Sequence, residues 1–277
     1  MKIALCNEVI AAMPFERQCE YAAKLGYAGL EVAPYTLADD PTRIDAADAR
    51  RYARIAADHG IAICGLHWLL VAPKGLSISS PDDALRKRTR EVMRQLVDLC
   101  AALGGAYLVH GSPGQRRVAP GDTREAALAR AVECWVNAGE AAGRAGVTYC
   151  IEPLSADQTP LVNTLDEAVA IVRKVGLAAL RTMLDTSSAG LQEEMPVSHL
   201  IDRWFPTGCV AHVQLNDRNR RGPGQGEDRF APVLAALKRN RYDGWLAMEP
   251  FDYQPDGPGS AARAIGYVQG ILEALEP

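Results

Sequence analysis

The feature that most constrains the fold is a regular alternation of short apolar runs with longer amphipathic stretches, repeated along all 277 residues. The pattern predicts eight strand–helix units. Strands that alternate with helices pair in parallel, and eight such units predict closure into a barrel rather than an open sheet. We therefore expect an α/β fold, a single (β/α)8 barrel domain over residues 1–277. The predicted strands are Lys2–Cys6, Gly29–Val32, Ile61–Leu66, Ala106–Val109, Thr148–Ile151, Leu180–Leu184, Val210–Leu215 and Gly244–Met248.

Helices are predicted between these strands, several of them ended by glycine or begun by a capping residue. One of them is placed at Pro81–Leu103, with Ser80 as its cap and proline in its first turn. The others are Glu16–Leu25, Asp45–His59, Thr123–Ala145, Thr164–Val175, Val197–Phe205, Ala231–Arg239 and Ser260–Leu275.

Composition excludes several classes of protein. A net charge of −4 gives no electrostatic reason to expect a nucleic-acid partner, because phosphate binding needs a basic surface. No apolar run is long enough to cross a membrane, and the seven cysteines show no paired motif. We expect a cytoplasmic enzyme with free thiols, whose partner is a small molecule and whose oligomeric state, monomer or homo-oligomer, is left open.

Polar residues stand at the carboxyl ends of the last four predicted strands: Glu152, Asp185, Gln214 and Glu249. Residues at the carboxyl ends of barrel strands converge on one mouth, where barrel enzymes place their active sites. Two glutamates, an aspartate and an amide oxygen suit a hard divalent cation. Each residue alone would be an ordinary strand end or turn, but together they predict one shared metal site. His212 is a rival ligand to Gln214, because it lies two residues away on the same side of its strand.

The second half of the chain resembles the xylose-isomerase-like barrels, and among them the ketose 3-epimerases and hydroxypyruvate isomerases. The matching segments are Ile151-Glu152-Pro153-Leu154, Leu184-Asp185-Thr186, His212-Val213-Gln214, Asn219-Arg220, Pro223-Gly224-Gln225-Gly226, Tyr242-Asp243-Gly244 and Met248-Glu249-Pro250-Phe251. The first half matches mainly in its strand–helix rhythm.

The resemblance implies that Glu152, Asp185, Gln214 and Glu249 hold one Mn²⁺ or Mg²⁺, with Co²⁺ as a further candidate. Glu152 and Glu249 would also be the catalytic acid/base pair. A metal can polarise a carbonyl so that the neighbouring carbon loses a proton and a cis-enediolate forms. Proton return then gives an epimer or an aldose–ketose isomer. The sugar substrate would contact Arg220, Gln158 and Ser188, and also His67, His110 and His212; Glu8 and Glu31 are weaker candidates.

Departures from the epimerase pattern leave the sugar undecided. The epimerases have histidine where this chain has Gln214, whereas the hydroxypyruvate isomerases resemble it in having glutamine. Ser188 stands in place of a substrate-binding histidine, and Gln158 in place of a glutamate. The alternatives are a dehydratase or lyase acting on a keto-sugar or inosose with the same metal, and, from another class, a sugar-binding barrel without turnover. The abasic-site endonucleases of the superfamily fit poorly, because too few histidines follow the strands.

Overall fold

Eight parallel strands form a closed barrel in which each strand pairs with the next and the last pairs with the first. The computed structural model describes residues 1–276. Its strands are β1 (Lys2–Cys6), β2 (Gly29–Val32), β3 (Ala62–Leu66), β4 (Tyr107–His110), β5 (Thr148–Ile151), β6 (Leu180–Asp185), β7 (Val210–Leu215) and β8 (Trp245–Met248). The predicted (β/α)8 barrel is confirmed.

Helices connect the strands and surround the barrel. Over residues 1–276 they are α1 (Phe15–Leu25), α2 (Ala46–Asp58), α3 (Asp83–Ala102), α4 (Arg124–Ala145), α5 (Leu165–Val175), α6 (Thr186–Gln192), α7 (Val197–Trp204), α8 (Phe230–Arg239) and α9 (Gly257–Ala274). Short 3₁₀ helices lie at Asn7–Ile10, Pro34–Thr36, Pro41–Arg43, Pro113–Gln115 and Phe205–Thr207. No helix of residues 1–276 is long and apolar enough to cross a membrane.

The sequence pattern misplaces one cap and does not reveal one helix. Helix α3 begins two residues later than predicted, because Asp82, not Ser80, accepts hydrogen bonds from the backbone N–H groups of Ala84 and Leu85. An aspartate carboxylate is a strong cap, and Ser80 lies too far upstream to reach this first turn. Helix α6 is absent from the predicted helices; it is only seven residues long and starts directly after β6.

The barrel interior is closely packed, and glycine makes one of its contacts feasible. A Cβ atom on Gly65 of β3 would lie 2.5 Å from the ring of Tyr107 on β4, which is too close for any real contact. Glycine therefore lets the Tyr107 ring lie inside the barrel, where its hydroxyl donates to Glu31 of β2. All seven cysteines are buried and unpaired in the described chain.

Candidate active site and metal centre

Three carboxylates meet at the carboxyl ends of β5, β6 and β8. Glu152, Asp185 and Glu249 each place a carboxylate oxygen within 4.8 Å of the other two, and all three side chains are buried. The strand register explains the meeting, since these residues end parallel strands that share one mouth. The structure thus brings together three of the four residues predicted to bind a metal.

Asp185 is held from two directions. It caps helix α6, where its Oδ1 accepts a hydrogen bond from the backbone N–H of Ser188 at 2.6 Å. Its Oδ2 accepts from the side-chain amide of Asn216 at 2.7 Å. A carboxylate fixed by two donors keeps its remaining lone pairs in a constant direction, as a metal ligand requires.

Asn216 joins two of the carboxylate residues, and sequence reasoning missed it. Its Nδ2 donates to Asp185, and its Oδ1 accepts from the backbone N–H of Glu249 at 3.0 Å. The residue lies two positions beyond Gln214, so strand periodicity places both on the same side of the chain. That spacing is the signal by which the sequence could have indicated it.

Glu152 is packed against the backbone of the neighbouring loop. A Cβ atom on Gly111 would collide with the Glu152 carboxylate, so glycine is needed there. Behind Glu152, the fully buried Arg116 donates from Nη2 to the Glu152 carbonyl oxygen at 2.7 Å. Arg116 is a second residue that the sequence analysis did not single out.

Burial and mutual repulsion make the three carboxyl groups weak acids. Burial, followed by the charges of Glu249 and Asp185, raises the pKa of Glu152 well above its ordinary value. Burial raises the pKa of Glu249 to about 8, against the opposing influence of His67. Burial also raises the pKa of Asp185 to about 6. Such a cluster is stabilised when protons or a cation neutralise it.

The donor set fits a hard divalent cation. Three oxygen-donating carboxylates converge, and the amide oxygen of Gln214, the β7 neighbour of Asp185, is buried without a hydrogen-bond partner among the described residues. An unpartnered buried oxygen costs free energy unless something binds it, and a cation would do so. The residues present therefore fit the predicted metal.

His212 lies apart from this carboxylate cluster. Its ring stacks on Tyr107, with 4.0 Å between ring centroids, and its Nε2 lies 2.8 Å from Oε2 of Glu31. Glu31 also accepts from Gln214 and is fully buried. Burial alone would raise the pKa of Glu31, but His212, and then His67 and Tyr107, lower it to about 2. The choice of Gln214 over His212 as the fourth ligand stays a prediction.

His67 connects Glu249 of the carboxylate cluster to a further glutamate, Glu8. Its Nδ1 lies 2.9 Å from Oε1 of Glu249, and its Nε2 lies 2.9 Å from Oε2 of Glu8. Burial alone would lower the pKa of His67, but the charge of Glu8 and the hydrogen bond to Glu249 raise it well above its ordinary value. His67 thus lies between two acidic side chains, both of which favour its protonated form.

A small cavity opens beside the carboxylates. Its wall includes Trp68, Glu152, Gln158, Glu249 and Phe251. The rings of Trp68 and Phe251 meet edge to face with centroids 6.0 Å apart, which gives the cavity an apolar wall opposite its acidic one. This combination suits a small polar ligand with an apolar carbon face.

Three of the predicted substrate contacts lie at or near this cavity. Gln158 borders it and donates to Ser155 and, at 3.4 Å, to the hydroxyl of Ser188. Arg220 is partly exposed and pairs with Asp157. The contacts of these residues with a sugar stay predictions.

His110, the last residue of β4, is fully buried. Its Nδ1 lies 2.8 Å from the Tyr149 hydroxyl and accepts from Trp135 Nε1. Burial and the nearby Arg116 lower the pKa of His110 well below its ordinary value. A neutral ring held in this way does not line the cavity beside Glu152, and its contact with substrate stays a prediction.

Comparison with known proteins defines the class. The sequence profile of the xylose isomerase-like TIM barrel family matches residues 19–271, so the chain belongs to that family. A D-psicose 3-epimerase of Agrobacterium fabrum is 29% identical over 243 residues, which are 84% of this chain and 78% of that protein. An L-ribulose 3-epimerase of Mesorhizobium japonicum is 27% identical, covering 81% of this chain and 72% of that protein.

A solved structure shows the same fold. A D-psicose 3-epimerase crystallised in the presence of D-fructose superposes with a TM-score of 0.84 at 22% identity, over 98% of this chain and 99% of that one. The predicted family is confirmed. The chain is an enzyme of the isomerase and epimerase type, as the sequence predicted.

Proposed function

We propose that this protein is a divalent-metal-dependent isomerase or epimerase of a ketose or keto-sugar derivative, which removes a proton from the carbon next to a carbonyl and forms an enediolate. The observation that carries the proposal is the convergence of Glu152, Asp185 and Glu249 within 4.8 Å. Relatives named for epimerising D-psicose and L-ribulose support a free ketose as substrate.

Glu152, Asp185, Gln214 and Glu249 would hold the metal, Mn²⁺ or Mg²⁺ in preference to Co²⁺. When bound, such an ion polarises a carbonyl and stabilises the negative charge that develops on its oxygen. All other contributions to catalysis would come from the side chains of the protein.

Glu152 and Glu249 would transfer the proton. They end β5 and β8, three strands apart around a closed barrel, so they approach a ligand in the mouth from different sides. The pKa of Glu249, raised to about 8, suits this role, because a carboxyl group that titrates near neutrality can both take and return a proton; the pKa of Glu152 is raised in the same direction. Two such groups on opposite sides are what inversion at one carbon requires.

The remaining contacts would orient the sugar and exclude water. Gln158 and Ser188 offer hydrogen-bonding groups beside Glu152, and Arg220 offers a cation at the rim. Trp68 and Phe251 would cover the carbon face of the ligand. His67 would hold Glu249 in place through its contact with the Glu249 carboxyl group. His212 would influence the site indirectly, through its contact with Glu31 inside the barrel.

The test is proton exchange. The protein with Mn²⁺ is incubated in D₂O with D-fructose, D-psicose and L-ribulose, and NMR reports which C–H bond exchanges and which product forms. Glu152→Gln and Glu249→Gln each keep an oxygen ligand but remove the base, so turnover falls by about 10²–10⁴-fold with metal retained. Glu133→Gln, an exposed residue of α4, is the matched control and keeps parental turnover.

Three results would contradict the proposal. Near-parental turnover in both glutamine variants, with metal present, would place the proton carriers elsewhere. Exchange accompanied by loss of a hydroxyl group would identify a dehydratase or lyase, and metal and sugar binding without any exchange would identify a binding protein.

A further inference from the structure

The amide of Gln214 makes a hydrogen bond on one side only. Its Nε2 donates to Oε1 of Glu31 at 2.7 Å, and its Oε1 has no hydrogen-bond partner among residues 1–276. The Gln214 side chain is fully buried, so its amide oxygen is shielded from bulk solvent. Because the amide is planar, fixing the nitrogen toward Glu31 also fixes the direction of the oxygen.

Glu31 is arranged to accept and not to donate. Its Oε2 accepts from the Tyr107 hydroxyl at 2.5 Å and lies 2.8 Å from Nε2 of His212. Its Oε1 receives the Gln214 amide and lies 3.5 Å from Sγ of Cys6. A carboxylate surrounded by donors on both oxygens offers the amide only acceptor sites, so a flipped Gln214, with its oxygen toward Glu31, would be repelled.

The strand register sets where the free oxygen lies. Gln214 of β7 is the direct partner of Asp185 of β6, and Asp185 belongs to the carboxylate cluster. Glu31 comes from β2, on the far side of the closed barrel. The amide nitrogen thus contacts an acceptor inside the barrel, while the Gln214 backbone lies directly beside that of Asp185.

We infer that Glu31 is the positioning residue that makes Gln214 an oxygen ligand: by accepting the Gln214 N–H group, it turns the amide oxygen to the site formed by Glu152, Asp185 and Glu249. The inference rests on the proposed metal site. A histidine at position 214 has an N–H group that could use the same acceptor. Glu31 would thus accept a hydrogen bond from either glutamine or histidine at position 214. This shared acceptor explains how glutamine can occupy that position in the barrel.

A double-mutant cycle on Mn²⁺ affinity tests the inference without using activity. Equilibrium dialysis gives the Mn²⁺ dissociation constant of the parent, Glu31→Gln, Gln214→Ala and the double variant. If Glu31 acts through Gln214, Glu31→Gln weakens Mn²⁺ binding by about 10–100-fold in the parent, the usual effect of losing a partner that orients a ligand. In the Gln214→Ala background the same change weakens it by no more than about 3-fold.

Glu31→Asp provides a second route, since it keeps the buried charge but shortens the side chain by one methylene. The Mn²⁺ dissociation constant of Glu31→Asp is measured with Gln214 present and with Gln214→Ala. We expect the substitution to weaken Mn²⁺ binding only when Gln214 is present. Equal losses in both backgrounds, for either substitution, would overturn the inference, because they would show that Glu31 does not act through Gln214. Asp185→Ala tests the metal site separately from the role of Glu31. If Asp185→Ala binds Mn²⁺ as tightly as the parent does, or if the parent binds none, the proposed metal site is wrong and the inference about Glu31 fails with it.

Discussion

Binding of Mn²⁺ to the metal-free protein should release protons, and the amount should depend on pH. Burial raises the pKa of the Glu249 carboxyl to about 8, with smaller contributions from Glu8 and Asp185, and burial raises the pKa of Asp185 to about 6. A metal binds only their ionised forms. At pH about 6.5 a group with a pKa of about 8 carries about 1 proton, whereas at pH about 9 it carries about 0.1.

We therefore expect release of at least about 1 proton per Mn²⁺ at pH about 6.5, with Glu152 adding to it, and at pH about 9 the contribution of Glu249 to the release should nearly vanish. Isothermal titration calorimetry in buffers of different ionisation enthalpy measures this number directly. Glu249→Gln removes the carboxyl group whose pKa lies near 8 and should reduce the release at pH about 6.5 by about 1. Stoichiometric Mn²⁺ binding without proton release at the lower pH would refute the reasoning, because it would mean that the carboxylates are already ionised.

The other predictions concern the fourth ligand and the stability of the metal-free fold. Gln214→His should retain Mn²⁺, since imidazole also binds this ion, and His212→Ala should retain it too. Dialysis measures the bound metal. Loss of Mn²⁺ from His212→Ala together with its retention in Gln214→Ala would identify His212, not Gln214, as the ligand. The pKa of Glu249 is raised on folding, so its contribution to stability is fully present below pH about 4.5 and is lost as pH rises to about 8. Thermal unfolding without metal should show Tm falling over that range, and Glu249→Gln should flatten the fall; an equal fall in the variant would assign the effect to other groups.

Sequence reasoning reached the fold and the cluster of three carboxylates for a common physical reason. Strand and helix periods are local properties, and eight alternating units leave few ways to bury both faces of the strands. Once a barrel is predicted, position along a strand determines which mouth a residue faces. Glu152, Asp185 and Glu249 can therefore be grouped from their positions in the sequence alone, and their meeting within 4.8 Å follows from that rule.

Contacts across the barrel and between loops could not be predicted from the sequence. Asn216 joins Asp185 to Glu249, and Arg116 reaches the Glu152 backbone from a loop 36 residues earlier. Helix α6 was missed because seven residues carry too little periodicity to be distinguished from a loop.

The sequence by itself determined the barrel and the set of residues at its mouth, because both follow from periodicity along the chain. Only the tertiary structure decided which way the amide of Gln214 turns and where His212 goes. Glu31 lies 183 residues from Gln214 in the chain, yet its carboxylate contacts both Gln214 and His212. Such a contact depends on closure of the barrel, which brings β2 and β7 within reach of each other and which no local pattern records.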